Sequence, residues 1–285
     1  MSNNSIKTVA VLGAGTMGNG IAHVFARAGY YVILRDIEKK LLDRALATVS
    51  ENLDREVKKG KITDTEKSAA LARIQPVTEN AALAGADFVV EAVSEQHGLK
   101  VRVLKDVDAI VAPGVIVASN TSSISITDLA AHTSRPDCFI GMHFMNPVPV
   151  MKLVEVIRGL ATSDVTFQKT MALCEKLGKT SVAVNDAPGF VSNRVLMPMI
   201  NEAAFAVMEG VATPEAVDAI MKLGMNHPMG PLELADLIGL DVCVEILEVL
   251  QKGLGDPKYR ACPLLRKYVA AGWLGRKSER GFYKY

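Results

Sequence analysis

Short β-branched and apolar runs punctuate the first half of the chain, at residues 8–12, 30–34, 88–93, 115–119, 139–144 and 153–157. They read as buried strands. Between them lie apolar positions at helical spacing, over residues 17–28, closed by Gly29, and over the long charged amphipathic stretch 39–59. Strands separated by helical patterns predict a parallel, doubly wound α/β sheet. After Asn185-Asp186-Ala187-Pro188-Gly189 the pattern turns helical almost throughout. Phe190, Leu196, Ile200, Ala203 and Val207 recur at roughly helical spacing, and Met208-Glu209-Gly210 closes that helix. Thr213 followed by Pro214 opens another, as N-cap and first helical residue. A third helical run is expected over residues 231–250. The predicted architecture is therefore an N-terminal Rossmann-type domain, residues 1–186, and an all-helical C-terminal domain, residues 187–285.

Composition narrows the class. With 285 residues, 49% of them hydrophobic, two cores can be built. The formal net charge of +1 offers no bulk electrostatic reason for a nucleic-acid or membrane partner. Cys138, Cys174, Cys243 and Cys262 are scattered without a C-x-x-C pair, so neither a disulfide framework nor a metal is expected. They read as small hydrophobes in a reducing compartment. The polar N-terminus leads within a few residues into a strand, with no basic-then-apolar leader and no long apolar run, so a soluble cytoplasmic protein is expected.

Gly13-Ala14-Gly15-Thr16-Met17-Gly18 is a G-x-G-x-x-G that follows a strand and opens a helix. Gly13 permits the tight turn, Gly15 lets backbone approach a pyrophosphate, and Gly18 lets helix and strand pack closely. The helix N-terminus offers N–H groups to the phosphates. Asp36, at the end of the next strand, can hydrogen-bond both hydroxyls of an adenosine ribose. Its charge would repel a 2′-phosphate, which favours NAD over NADP, although Arg35 and Lys39 lie close by.

Oxidising an alcohol by hydride transfer requires a base for the hydroxyl proton. His143 is the candidate among five histidines, because it follows the apolar run 139–142 and precedes Asn146-Pro147. Ligands gather at the carboxyl ends of strands in open α/β sheets. Glu155 sits within Leu153-Val154-Glu155-Val156-Ile157, where a buried carboxylate needs a partner, and an imidazole would serve. An exposed face on an edge strand is the alternative. Residues 119–123, Ser-Asn-Thr-Ser-Ser, follow another strand and could bind a carbonyl or the nicotinamide amide; they could equally cap the helical segment near Asp128. Asn193 falls in the first turn of the helix after Pro188-Gly189.

Together these residues resemble a known family, the stand-alone short-chain 3-hydroxyacyl-CoA dehydrogenases of the (S)-3-hydroxybutyryl-CoA type. The resemblance is carried by residues 13–18 and 119–123, Gly-Met-His-Phe-Met-Asn-Pro-Val-Pro-Val-Met at 141–151, and Leu-Val-Glu-Val-Ile at 153–157. It continues in Pro-Gly-Phe-Val-Ser-Asn-Arg at 188–194, His-Pro-Met-Gly-Pro at 227–231 and Gly-Arg-Lys-Ser-Glu-Arg-Gly-Phe-Tyr at 275–283. It implies His143 as general base, Glu155 as its orienting carboxylate, and Ser122 and Asn193 on the substrate oxygens. It implies Glu95, Lys100, Ser122 and Asn146 as NAD contacts beside the glycine loop. Asn52 and Lys59 fall where the family meets coenzyme A, and Lys58, Lys59 and Lys61 make electrostatic sense there, though any one of them also fits a solvated helix face. A homodimer through the C-terminal domain is implied as well. Met145, Ser192, Gln96 and Asn52 depart from common family residues, which touches substrate fit more than reaction type. A dehydrogenase of a free hydroxy acid, or a non-catalytic NAD binder, remain the competing readings.

Overall fold

The computed structural model describes residues 6–285; the polar N-terminal segment 1–5 lies outside the described residues. The chain divides into two compact units, Met1–Asp186 and Ala187–Tyr285.

The first unit is built on β1 (Thr8–Leu12), α1 (Thr16–Arg27), β2 (Tyr31–Arg35), α2 (Lys39–Lys58), α3 (Asp64–Ala72), β3 (Ile74–Val77) and β4 (Phe88–Glu91). It continues with α4 (His97–Ile110), β5 (Ile116–Ser119), α5 (Ile126–Ala131), β6 (Phe139–Phe144), β7 (Leu153–Arg158), α6 (Asp164–Lys176) and β8 (Thr180–Asn185). The eight strands form one sheet in the order β3-β2-β1-β4-β5-β6-β7-β8. The chain runs outward from β1 to β2 and β3, then returns to add β4 on the other side. That reversal is the switch point at which doubly wound sheets bind ligands.

All neighbouring strands are parallel except β6 and β7. The expected parallel, doubly wound sheet is thus present, with one antiparallel pairing that the sequence did not indicate. The connection 145–152 is too short for a crossover, which takes a dozen or more residues. Strands β3 and β8 were not legible as apolar runs. Both are sheet edges, and Pro76 in β3 removes a ladder donor, which an edge tolerates. Helix α2 buries Leu42, Ala45, Val49 and Leu53, one stripe at helical spacing, against the same core as Ile21 and Phe25 of α1. Helix α3 begins at a capping box, in which Glu66 N donates to Thr63 Oγ1 at 3.2 Å and Thr63 N to Glu66 Oε2 at 2.7 Å.

The second unit is helical: α7 (Ser192–Met208), α8 (Pro214–Gly224), α9 (Pro231–Ile238), α10 (Leu240–Leu254) and α11 (Pro263–Ala270). Thr213 caps α8 with Pro214 at its first position, as its sequence predicts. The single run expected over 231–250 is in fact two helices, because Gly239 adopts φ +107° between them, a conformation no helix interior accepts. Met197, Ile200, Leu232, Leu240, Leu247, Leu250 and Leu265 form the core. Two buried carboxylates pin the last residues of the chain to it. Asp236 accepts from Phe282 N and Tyr283 N at 3.0 and 2.9 Å, and Asp218 accepts from Tyr283 Oη at 2.7 Å. The motif at 275–283 is thus a structural clasp. All four cysteines are free thiols, and burial pushes Cys174 and Cys243 up to about 12.

Candidate active site

Strand register places the candidate residues on one edge of the sheet. Arg35, Leu12, Glu91, Ser119 and Gly141 are successive partners across β2, β1, β4, β5 and β6. These five strands run the same way, so the segment after each of these residues projects from the carboxyl edge. Asp36, the start of the glycine loop, Glu95, residues 120–123 and His143 all come within four residues after members of that row.

The glycine loop has the form its sequence predicts. Gly13 takes φ +95°, and a Cβ there would lie 2.6 Å from the Ala92 carbonyl oxygen, so the loop passes the end of β4 with no room for a side chain. A Cβ on Gly18 would lie 1.7 Å from the Gly13 oxygen, which is why α1 can rise directly from the loop. A Cβ on Gly15 would meet nothing within 4 Å. Gly15 therefore faces open space at the start of α1, whose first turn holds no acidic residue and no side-chain cap. Backbone donors and a positive dipole end meet that space, which fits a pyrophosphate. Asp36 accepts from Ala14 N at 2.5 Å and Ile37 N at 2.7 Å, so its carboxylate is fixed beside the loop where a ribose would lie. Thr16 is exposed, whereas the Met17 side chain packs on the core and leaves only its backbone to the loop.

Behind the edge lies a buried ionic network. Glu91 and Lys100 are 0% and 1% exposed, and Lys100 Nζ lies 2.7 Å from Glu91 Oε1. Ser119 Oγ donates to the other Glu91 oxygen at 2.6 Å. Such a pair persists in a core only when its remaining atoms are hydrogen-bonded, as these are. Lys100 also reaches Glu95 Oε2 at 3.3 Å. Lys100 therefore stands behind Glu95 rather than presenting an exposed ammonium. Glu95 Oε1 in turn accepts from Thr121 Oγ1 at 2.5 Å, Ser122 N at 2.9 Å and Ser123 N at 3.1 Å. Burial opposes ionisation of Glu95, but Lys100 and these donors outweigh it and hold the carboxyl below the usual carboxylate range. Residues 121–123 thus organise around a carboxylate. They are not the cap of α5, which is Ser125, its hydroxyl accepting from Asp128 N at 3.1 Å.

His143 and Glu155 are direct partners across the antiparallel pair β6–β7. Nδ1 of His143 lies 2.8 Å from Glu155 Oε2, and the residues are 8% and 3% exposed. Strand β7 is paired on both sides, so the exposed edge considered for Glu155 does not apply. The short return that makes β6 and β7 antiparallel is what brings imidazole and carboxylate face to face. Beside them Asn120 Oδ1 accepts from Phe144 N at 2.9 Å and ties β5 to β6.

A cleft of ≈ 400 Å³ joins the glycine loop to α2 and to residues 146–149; Gly15, Thr16, Asn52 and Asn146 line it. Arg44 and Thr48 line it too, at four-residue spacing before Asn52. They were missed in the sequence, although the 44–48–52 period on an amphipathic helix was the available signal. The Asn146–Pro147 peptide is cis. Lys58, Lys59 and Lys61 are all exposed at the end of α2. Asn193 lies in the first turn of α7, in the second unit, its N–H 3.2 Å from the Gly189 carbonyl.

Comparison with known proteins gives a consistent pattern. A family model described as 3-hydroxyacyl-CoA dehydrogenase, NAD binding domain, matches residues 8–187, and the C-terminal domain model of the same family matches residues 189–285. The chain is 59% identical over 280 residues to a probable 3-hydroxybutyryl-CoA dehydrogenase of Bacillus subtilis, covering 98% of each chain. It is 55% identical to a 3-hydroxybutyryl-CoA dehydrogenase of Bradyrhizobium diazoefficiens, over 98% of this chain and 96% of that one. The solved structure of an (S)-3-hydroxybutyryl-CoA dehydrogenase from Ralstonia eutropha matches at 56% identity and TM-score 0.96, over 99% of both chains.

Proposed function

The chain belongs to the 3-hydroxyacyl-CoA dehydrogenase family, and on that premise we propose that it interconverts (S)-3-hydroxyacyl-CoA, 3-hydroxybutyryl-CoA foremost, and 3-oxoacyl-CoA with His143 as general base. NAD is the cofactor, and when bound it supplies the acceptor for the hydride leaving C3. The observation that carries the catalytic assignment is the buried 2.8 Å pair of His143 and Glu155 at the carboxyl edge of the sheet.

The chemistry of this chain's own residues derives from that pair. With Nδ1 against Glu155, the 3-hydroxyl proton is taken at Nε2, the opposite ring nitrogen. Glu155 fixes the tautomer and stabilises the imidazolium that results. Ser122 and Asn193 hydrogen-bond the substrate oxygens. The glycine loop and Asp36 hold pyrophosphate and adenosine ribose, while Glu95 and Asn146 hold the nicotinamide half and Lys100 acts through Glu95. Asn52 and Lys59 meet coenzyme A, with Arg44 the additional cation on that helix.

The same reading makes the protein a cytoplasmic homodimer of fatty-acid metabolism, dimerised through the second unit. In support, that unit exposes Val191, Val195, Ile220, Leu223 and Met225, apolar side chains that a partner surface would cover. Among the described residues, no helix is long and apolar enough to cross a membrane.

The test is acetoacetyl-CoA reduction followed by NADH absorbance. His143→Gln should lower turnover by about 10²–10⁴ with little change in NADH affinity. Normal turnover in that variant would end the assignment.

A further inference from the structure

We propose that His97, Asp128 and His132 form a binding site for a divalent transition-metal ion of the zinc class, separate from the catalytic groups. One ligand atom from each residue lies within 4.8 Å of the other two. His97 is the first residue of α4, Asp128 lies in the first turn of α5, and His132 follows the last. His97 Nε2 and Asp128 Oδ2 are in direct hydrogen-bond contact. The His97 and His132 rings stand edge to face with centroids 5.8 Å apart. The expectation of no metal rested on scattered cysteines, and a site assembled from two helices, with His97 and Asp128 31 residues apart, has no signature of that kind.

The donor set selects the ion. Two imidazoles and one carboxylate suit zinc, cobalt, nickel or ferrous iron, whereas magnesium and calcium favour oxygen donors throughout. Metal–ligand bonds of about 2.0–2.2 Å place the ligand atoms of a tetrahedral ion roughly 3.3 Å apart. The three ligand atoms already lie within 4.8 Å of one another, and rotation of the half-exposed His97 and Asp128 side chains can bring them to that spacing. The side chains of His97 and Asp128 are 51% and 49% exposed, which leaves room for water to complete the coordination. On binding, the ion replaces the direct hydrogen bond between His97 and Asp128.

The backbone beneath the site is firmly held. Asp128 and His132 are four residues apart and so face the same side of α5. The start of α5 is fastened by Asp186, which accepts from Ser125 Oγ at 2.7 Å, Ile126 N at 3.1 Å and Thr127 N at 2.8 Å. One turn into α4, Lys100 is anchored to Glu91. Two fixed helices therefore present three ligands, and an ion there would tie the start of α4 to α5.

The experiment is titration of the untagged, metal-stripped full chain with Co²⁺, followed by visible absorption and calorimetry, with Zn²⁺ as competitor. One submillimolar equivalent is expected, displaced by Zn²⁺ and not by Mg²⁺. Loss of an outer partner of a metal ligand costs about 10–100-fold in affinity, so Asp128→Asn or His132→Ala should cost at least that. The double variant His97→Ala/His132→Ala should lose the equivalent while its circular dichroism and NADH affinity match the parent. No submillimolar equivalent, an equivalent unchanged in the double variant, or displacement by Mg²⁺ at equal concentration would each overturn the proposal.

Discussion

Individual side chains decide the chemistry by their surroundings. Glu155 sits among apolar strand residues, where an isolated carboxylate costs several kcal/mol, and His143 offsets that cost across the β6–β7 pair. Glu155→Gln keeps the shape but not the charge that stabilises an imidazolium. Turnover should fall by about 10²-fold or more while the KM for NADH stays within a small factor, measured by steady-state kinetics. His23 illustrates the opposite use of burial. Its side chain is inside the fold, 3.4 Å from Glu56, and burial, with Arg27 and Lys179 nearby, lowers it from 6.5 to about 4. The folded protein keeps this ring neutral where the unfolded chain would protonate it. Its stability contribution is complete above pH 6.5 and is lost as pH falls toward 4. Between pH 7 and pH 5 the loss should be about 2 kcal/mol, and His23→Leu should remove that much of the pH dependence in urea unfolding. A His23→Leu variant with the same pH dependence as the parent would show that other groups carry it.

Local elements explain which parts of the fold were legible. Runs such as 8–12, 139–144 and 153–157 could be read because buried strands need continuous apolar residues, and all three are strands. Strands β3 and β8 could not, since an edge strand buries less and needs less apolar sequence. Nor could the antiparallel turn between β6 and β7 be read from apolar runs, because orientation is set by the length of the connection rather than by either strand. The glycine loop was fully legible, since each glycine answers a separate steric demand. Gly18→Ala puts a methyl 1.7 Å from the Gly13 oxygen, so α1 must retreat from the loop. A forced shift of this kind costs about 1–3 kcal/mol, which should weaken NADH by roughly tenfold or more in a fluorescence titration. Gly15→Ala meets no protein atom, so any loss of NADH affinity there would come from the cofactor side alone.

Across the whole molecule, the sheet edge holds the proposed redox groups, and the proposed acyl-CoA contacts are dispersed along the chain. His143, Glu155 and Asp36 were visible in the sequence because each breaks or ends an apolar run. Glu95 and Lys100 were named only through the resemblance, and Glu91, with the ionic network that joins all three, was not anticipated, because its members meet by tertiary packing and leave no periodic trace. Arg44 escaped notice since one arginine on a charged helix is unremarked until the cleft it lines is seen. The substrate assignment is open to the most direct challenge on this scale. On the proposed reading, the nucleotide end of coenzyme A lies far from the reacting carbon, and binding energy realised on such remote groups aligns the 3-oxo carbon with the base. Free acetoacetate, which lacks those groups, should therefore lose kcat as well as affinity. Its kcat/KM should fall at least about 10³-fold below acetoacetyl-CoA, with NADH oxidation as the readout. Lys59→Ala should raise the KM for acetoacetyl-CoA by only a small factor, more at low salt than at high, since an exposed lysine acts through screened charge. Comparable turnover of the thioester and the free acid would instead favour a hydroxy-acid dehydrogenase on this architecture, with the lysines of α2 a solvated face.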